Sequence, residues 1–268
     1  MIKIRGKKLG QLIRPVSFIL VLALFITLGG SAAAKTDLTI SAAASLKGAL
    51  EAVSPAFEQQ FPQVKLIFNF GASGALQQQI EQGAPVDIFI SAASKQIEVL
   101  ASKDLIIKDS VRILFGNSLV LIIPRNRLQV FAIQDLQKAE VRRIAVGESR
   151  SVPAGQYAEE ALKNLELWPV LQKKLVPAAN VRQVLTYVET ANVDAGFVYA
   201  TDALESSAVR VVGPIDGKLH SPVIYPLAII KKTKQIQAAR QFSDFLKSPL
   251  AQEVFQKKGF ILLPEKAS

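Results

Sequence analysis

The chain has 268 residues, of which 50% are apolar and 20% charged, so it can bury a large core and is not intrinsically disordered. It contains no cysteine and a single histidine, His220, which excludes thiolate chemistry, structural zinc, iron–sulfur clusters and any multi-histidine metal centre. The formal net charge is +10, but beyond residue 34 the basic residues form only short pairs, and we therefore expect no nucleic-acid partner.

The first 34 residues have the three-part pattern of a secretory signal. Five basic residues lie between Lys3 and Arg14, an apolar run covers residues 16–28, and small residues lead to Ala34. An apolar run of this length is too short to span a bilayer comfortably, so we predict a signal peptide at 1–34 that is cleaved, and a periplasmic location. Of the 32 basic residues 27 then remain against 22 acidic ones, a net charge of +5.

Short apolar strands alternate with helical stretches after residue 34, which predicts an α/β fold with mostly parallel sheets flanked by helices. The first series has strands at 38–40, 64–70 and 86–90 and helices at 45–61, from 73 to about 83, and 95–102. A second series has strands at 143–146, 195–199 and 209–212 and helices at 153–165 and 181–191. Only helices are predicted near the end, at 233–246 and 249–258.

Two long extended runs, 111–124 and 222–230, separate these series. They predict two lobes: lobe 1 formed by 35–118 and 223–268, and lobe 2 formed by 119–222 and inserted into lobe 1. Chains of this design bend at the crossing strands and bind ligands in the cleft between their lobes.

Four junctions between a strand and a helix are candidates for the ligand site, because open parallel sheets bind ligands beyond the carboxyl ends of their strands. The junctions are at 42–46, 71–75, 151–155 and 180–183. Three consist mostly of small residues, and the fourth has Asn180 and Gln183 in the pattern of a capping box. Each alone is an ordinary helix start, but four together indicate an anion site built from helix N-termini.

Three other side chains lie near these junctions in the sequence. Tyr199 ends the strand at 195–199, where it either packs in the core or donates a hydrogen bond into the cleft. We expect Arg182 to be a solvated charge on its helix, and His220 to lie in a loop.

Five segments resemble, in order and spacing, the periplasmic molybdate-binding proteins of ABC transporters. They are AAASL at 42–46, GAPVDIFISA at 83–92, GNSLV at 116–120, VPAGQYA at 152–158 and GFVYATD at 196–202. The similarity covers essentially all of the chain after residue 34. It implies a two-lobed type II periplasmic-binding-protein fold that holds molybdate or tungstate between its lobes, with no cofactor and no enzymatic activity.

The resemblance also implies a set of ligand-binding residues. Ser45 and Ser73 supply hydroxyl and amide donors, Ala154 and Val181 supply backbone amides, and Tyr199 supplies its phenol. The run GASGA at 71–75 departs from the family by replacing a more serine-rich segment. The implied partners are a membrane permease and its cytoplasmic ATPase, and we expect a monomer.

Other functions remain open at this point. A site that only donates hydrogen bonds suits a dianion without protons, whereas monohydrogen phosphate needs an acceptor. Sulfate, phosphate, a ferric complex or an organic acid are alternative ligands, although an organic acid usually requires an arginine and four tyrosines are few for iron. A remoter alternative is a serine hydrolase that uses Ser73 as nucleophile and His220 as base. A transcriptional sensor conflicts with the predicted signal peptide.

Overall fold

The structure is a computed structural model that describes residue 2 and residues 35–126 and 130–264. The predicted signal peptide therefore lies outside the described residues, apart from residue 2. Among the described helices, none is long and apolar enough to cross a membrane.

The described chain contains eleven strands and nine α-helices, numbered here in chain order. The strands are β1 (Thr36–Ala43), β2 (Val64–Gly71), β3 (Ile88–Ile90), β4 (Arg112–Gly116), β5 (Leu119–Pro124), β6 (Ile144–Gly147), β7 (Leu175–Ala178), β8 (Ala195–Tyr199), β9 (Val209–Pro214), β10 (Ile224–Ile229) and β11 (Ile261–Leu262). The helices are α1 (Lys47–Gln60), α2 (Ser73–Glu81), α3 (Ser94–Ser102), α4 (Pro153–Asn164), α5 (Trp168–Leu171), α6 (Val181–Glu189), α7 (Ala200–Ala203), α8 (Ile236–Phe245) and α9 (Pro249–Lys257).

The first sheet has six strands in the order β11-β4-β10-β3-β1-β2. β1 pairs in parallel with β2 and β3, so that Ala43 lies beside Gly71, and Ala42 beside Ile90. The carboxyl ends of these three strands therefore share one edge, and the next residue or two after each end begin a helix or a turn. This edge carries Ser45, which follows β1 in a 3-10 turn at Ala44–Leu46.

The second sheet has five strands in the order β7-β6-β8-β5-β9. β6 pairs in parallel with β7 and β8, which places the starts of α4, α6 and α7 at one edge. Helix α6 packs closely on this sheet because β8 has a glycine at its contact point. A Cβ at Gly196 would lie 2.8 Å from the side chain of Val188 and 2.9 Å from that of Val184.

Both sheets are mixed, since the two crossing runs enter them in the opposite direction. β10 pairs antiparallel with β3 and β4, and β5 pairs antiparallel with β8 and β9. The predicted α/β fold, two sheets flanked by helices, is confirmed, but parallel pairing is limited to the strands β1–β3 and β6–β8. β4 and β10 belong to the first sheet and β5 and β9 to the second; the exact lobe boundaries stay a prediction.

Two strands are missing from the sequence-based assignment. β7 contains Pro177, which cannot donate a ladder hydrogen bond and therefore weakens a strand prediction; it is accommodated because β7 lies at the edge of its sheet. The short β11 pairs with β4 after the last helix. The expectation that only helices follow the second extended run is therefore wrong.

Candidate functional site

A small cavity lies between the carboxyl edges of the two sheets and contains all five predicted site residues in its wall. The first sheet and its loops contribute Ala43, Ala44, Ser45, Gly71, Ala72, Ser73 and Ala92. The second contributes Val152, Pro153, Ala154, Asn180, Val181 and Tyr199. Among these lining residues the phenol of Tyr199 is the single ionisable group. An anion in this cavity would thus be held by hydroxyl and amide groups.

Ser73 is the first residue of α2, but its side chain does not cap that helix. Its Oγ instead accepts a hydrogen bond from the backbone N–H of Ala92, at 3.0 Å. Because a backbone N–H can only donate, the serine oxygen is the acceptor, and its own proton is available to another group. Ser73 is almost fully buried, and its hydroxyl can donate to a ligand in the cavity.

Ser45 is also buried, and its Oγ lies 3.0 Å from the phenolic oxygen of Tyr225. Tyr225 is not a lining residue, and nothing in the local sequence around it indicates a role at the site. Its contact with Ser45 joins residues 180 positions apart. A pattern read along the sequence therefore finds Ser45 and misses Tyr225.

Backbone amides reach the cavity from the starts of α4 and α6. Pro153 opens α4, and Ala154 follows it within the first turn, where amides have no intrahelical acceptor. The Gly155 amide donates to the Val152 carbonyl at 2.9 Å. Ala154 is therefore the amide donor to retain from this junction.

The N-cap prediction for α6 is confirmed. Asn180 Oδ1 accepts a hydrogen bond from the Gln183 amide at 3.0 Å, and this leaves the amide of Val181 in the uncapped part of the first turn. The Gln183 side chain accepts from the Ala179 amide at 2.6 Å rather than from Asn180. The reciprocal bond of the capping box is therefore displaced by one residue.

Tyr199 is 1% exposed, and its hydroxyl has no hydrogen-bond partner among the described residues. Burial raises the pKa of this phenol well above its ordinary value, so it keeps its proton and is a donor at neutral pH. A buried hydroxyl without a partner costs free energy in the folded protein. Since Tyr199 lines the cavity, a ligand oxygen there would satisfy it.

An ion-pair network lies next to the cavity, and Arg182 belongs to it instead of being a solvated charge. Its Nε lies 2.9 Å from Asp202 Oδ1, and its Nη1 contacts Glu205. Asp202 is fully buried, and burial raises its pKa to about 7 in spite of the nearby guanidinium. Its Oδ2 accepts from the Tyr199 amide at 3.3 Å. The network therefore fixes the backbone of Tyr199 through its amide.

Segments that follow strands of the two sheets contact each other beside the cavity. The Gly74 amide donates to the Ser151 carbonyl at 2.8 Å, and the Tyr157 hydroxyl donates to the Ala92 carbonyl at 3.1 Å. A Cβ at Gly74 would lie 2.7 Å from the Ser151 Cα and carbonyl oxygen, so this approach requires glycine. Segments that follow β2 and β3 of the first sheet thus contact segments that follow β6 of the second sheet.

The hydrolase alternative finds no support in the contacts of its two residues. Ser73 Oγ is bonded to the Ala92 amide, whereas His220 Nδ1 lies 2.7 Å from the Ser221 carbonyl in a loop. His220 is not a lining residue of the cavity. The described residues also contain no group of three or more histidine, aspartate or glutamate side chains placed to hold a metal ion.

Comparison with known proteins agrees with this geometry. Residues 38–261 match the model of the family described as bacterial extracellular solute-binding proteins. The chain is 46% identical over 228 residues to an ABC transporter substrate-binding lipoprotein, YvgL, of Bacillus subtilis, which covers 84% of this chain and 86% of the relative. It is 38% identical over 237 residues to the molybdate-binding protein ModA of Haemophilus influenzae, covering 87% and 93% of the two chains.

A solved structure is similar over the same region. The substrate-binding domain of a molybdenum ABC transporter from Clostridium difficile superposes with a TM-score of 0.67 at 45% sequence identity. The match covers 86% of this chain and all of the other. The likeness therefore extends over both sheets and the cavity between them.

Proposed function

Because the chain belongs to the bacterial extracellular solute-binding proteins, and among them to the molybdate-binding proteins of ABC transporters, we propose that it captures molybdate or tungstate and delivers the anion to an ABC transporter. It is a receptor and not an enzyme, and the anion is its cargo rather than a cofactor.

The observation that carries this proposal is the direction of the hydrogen-bonding groups in the cavity. The Ser73 oxygen accepts from a backbone amide, and the Tyr199 hydroxyl is buried without a partner. Both groups therefore have a proton to donate into the cavity. A tetrahedral dianion accepts hydrogen bonds at every oxygen, so a cavity that mainly donates fits it.

We assign the ligand contacts to Ser45, Ser73, Ala154, Val181 and Tyr199. Each is contributed by the start of a helix or by the end of a strand, and together they surround the cavity from both sheets. A hydrogen bond to a charged group contributes about 1.5–3 kcal/mol. Several such bonds, less the cost of ordering and closing the site, give dissociation constants near or below about 1 µM.

The proposed cycle depends on two lobes that open and close. We place lobe 1 at 35–118 and 223–268 and lobe 2 at 119–222, with the hinge in the segments between β4 and β5 and between β9 and β10. We propose that the partner is a membrane permease with a cytoplasmic ATPase, that residues 1–34 are a signal peptide removed on export to the periplasm, and that the receptor is a monomer.

Isothermal titration calorimetry of the purified protein tests the proposed function. Molybdate and tungstate are expected to bind. Sulfate and phosphate are expected to bind at least about a hundredfold more weakly, a difference in binding free energy of roughly 2.7 kcal/mol or more. If sulfate or phosphate bound as tightly as molybdate, the assignment of the ligand would be wrong.

A further inference from the structure

We infer that Tyr225 and Asn117, which lie behind the cavity wall, fix the hydroxyl of Ser45 so that its proton points into the cavity. The inference rests on the proposed function and concerns how the same site rejects anions that carry a proton. Its basis is a chain of hydrogen bonds whose direction is set at one end by a backbone amide.

The direction begins at Asn117, in the segment that joins the two sheets. The backbone N–H of Ser118 donates to Asn117 Oδ1 at 2.8 Å. Because this N–H can only donate, the atom it faces is the amide oxygen, and the opposite end of the side chain is the NH₂ group. The orientation of the asparagine amide is therefore fixed by the backbone.

The NH₂ group of Asn117 then fixes Tyr225. Asn117 Nδ2 lies 2.9 Å from Thr201 Oγ1 and 3.2 Å from the Tyr225 hydroxyl oxygen. The phenol must accept this bond, so its own proton has to go elsewhere. Tyr225 is fully buried, and its remaining partner among the described residues is Ser45 Oγ, at 3.0 Å.

Ser45 consequently accepts from Tyr225 and cannot direct its own proton back along the same line. Burial and the nearby Asp202 charge raise the pKa of Tyr225 far above its ordinary value, so the phenol keeps the proton that this chain needs. Ser45 lines the cavity, and its hydroxyl proton therefore points into the cavity. The hydroxyl of Ser73 is oriented in the same way, because its oxygen accepts from the Ala92 amide.

The local backbone is shaped to bring Tyr225 to this position. The pairing of β10 with β4 shifts register between Tyr225 and Pro226, and such bulges re-aim side chains next to binding sites. Proline occurs inside sheets mainly at bulges or edges. Tyr225 is thus a positioning residue: it does not line the cavity, and it sets the direction in which the Ser45 hydroxyl can donate.

This arrangement determines selectivity between anions of equal charge and shape. Sulfate and monohydrogen phosphate are both tetrahedral dianions, but the phosphate must donate its proton to an acceptor. Ser45 and Ser73 each accept one hydrogen bond from the protein and donate into the cavity, so each oxygen keeps at most one acceptor position for that proton. A proton left unpaired in a buried site costs free energy, and release of Ser45 from Tyr225 would free a further acceptor position.

A double-mutant cycle on molybdate affinity tests whether Tyr225 acts through Ser45. The proteins are wild type, Ser45→Ala, Tyr225→Phe and the double variant, each checked for folding by circular dichroism and titrated with molybdate. Tyr225→Phe is expected to weaken binding about 3- to 10-fold in the presence of Ser45 and to have almost no further effect in Ser45→Ala. If the two losses multiply instead, the inference is wrong.

Tyr157→Phe is the matched control. It also removes a buried phenolic oxygen near the cavity, but that hydroxyl bonds to Ala92 and not to Ser45. Its effect is expected to multiply with that of Ser45→Ala. If Tyr225→Phe does not fold, Asn117→Ala takes its place in the cycle with the same expectation, because it removes the donor that orients Tyr225.

Displacement of bound molybdate by sulfate and by phosphate, at about pH 8 where phosphate is largely the monohydrogen dianion, gives a second readout. Tyr225→Phe is expected to reduce the preference for sulfate over phosphate about 10-fold, and Tyr187→Phe, at a half-buried phenol outside the cavity, to leave it unchanged. An unchanged preference in a folded Tyr225→Phe protein that still binds molybdate overturns the inference. Failure of the wild type to bind molybdate would instead refute the proposed function.

Discussion

Tyr199 carries the strongest local sign of a ligand in this molecule. The centroid of its ring lies 6.0 Å from that of Tyr225, and its backbone amide donates to Asp202. Its hydroxyl has no hydrogen-bond partner among the described residues. A residue that is held in place and leaves one donor unused is arranged for binding. The unsatisfied hydroxyl lowers the free energy of unfolding of the ligand-free protein.

Replacement of Tyr199 by phenylalanine separates those two properties. The variant is expected to bind molybdate about 10- to 100-fold more weakly, since it lacks one donor to a charged group. Its free energy of unfolding without ligand should be unchanged or higher, because the lost hydroxyl had no partner. Calorimetry and urea unfolding measure the two effects. Tyr187→Phe, at a half-buried phenol outside the cavity, should change neither, and a marked loss of stability in Tyr199→Phe would contradict this account.

Asp202 makes stability depend on pH. Its pKa is about 7 in the folded protein and about 3.9 in the unfolded chain, so between these values the folded state holds a proton that the unfolded state has released. Stability contributed by this group is therefore present below about pH 4 and is lost as pH rises through 7. Relative to Asp202→Asn, the wild type should gain about 2–3 kcal/mol between pH 8 and pH 5.

Urea unfolding of both proteins across this pH range measures that difference. The exposed Asp216→Asn is the control and should follow the wild type. A wild type whose stability relative to Asp202→Asn stays constant between pH 8 and pH 5 would show that Arg182 keeps the carboxylate ionised and that its pKa is not raised.

The residues found from sequence and those missed differ in how far apart their contacts are along the chain. Ser45, Ser73, Ala154 and Val181 sit at helix starts, which leave a local signature of small residues and N-caps. The residues behind the cavity are joined by contacts of long separation, such as the 108 positions between Asn117 and Tyr225. No local pattern contains that information.

Among the elements, the starts of α2, α4 and α6 do most to build the site, and all three were predictable within a residue or two. What the alternation of strands and helices does not reveal is the pairing partner. β5 and β10 lie in the two extended runs that separate the predicted series, and the sequence pattern does not show that they run antiparallel to their neighbours. The sequence did not predict β7 because Pro177 has no N–H for a ladder hydrogen bond, and the same property restricts this strand to the edge of its sheet.

Helix α2 offers a test of the contact between the two sheets. In Gly74→Ala the new Cβ would meet backbone atoms of Ser151 at 2.7 Å, so the Gly74–Ser151 hydrogen bond cannot form in its present geometry. We expect molybdate affinity to fall about 10-fold or more, roughly the loss of one well-formed bond to the closed state. Stability without ligand should not fall, since alanine is favoured over glycine in helices by up to about 1 kcal/mol.

Gly217→Ala is the control, because a Cβ there meets nothing within 4 Å. Calorimetry and urea unfolding again give both quantities. Unchanged affinity in Gly74→Ala would mean that this contact is not part of the binding-competent form.

At the scale of the whole molecule, the cavity is shared by two sheets that are joined through the segments on either side of residues 119–214. A ligand that bonds to both sheets connects them in the folded state and has no comparable site in the unfolded chain. Binding therefore adds to the stability of the entire described body and not to one lobe alone.

Molybdate should accordingly raise the unfolding temperature in a concentration-dependent manner. At a thousand times its dissociation constant the ligand adds about 4 kcal/mol to the free energy of unfolding. Differential scanning fluorimetry with molybdate and with sulfate at equal concentrations measures this effect. Tyr199→Phe should show a smaller shift, and an equal response of the wild type to both anions would speak against molybdate as the ligand.

The uncharged lining of the cavity has a consequence for the kinetics of capture. Attraction over a distance comes from the net charge of +5 carried by residues 35–268, and ions screen it beyond a Debye length of about 8–10 Å. In the proposed complex the anion is held by dipoles in direct contact with it, where screening is weak. Added salt should therefore slow the association rate and leave the dissociation rate nearly constant, so that residence time is the same in dilute and in concentrated surroundings.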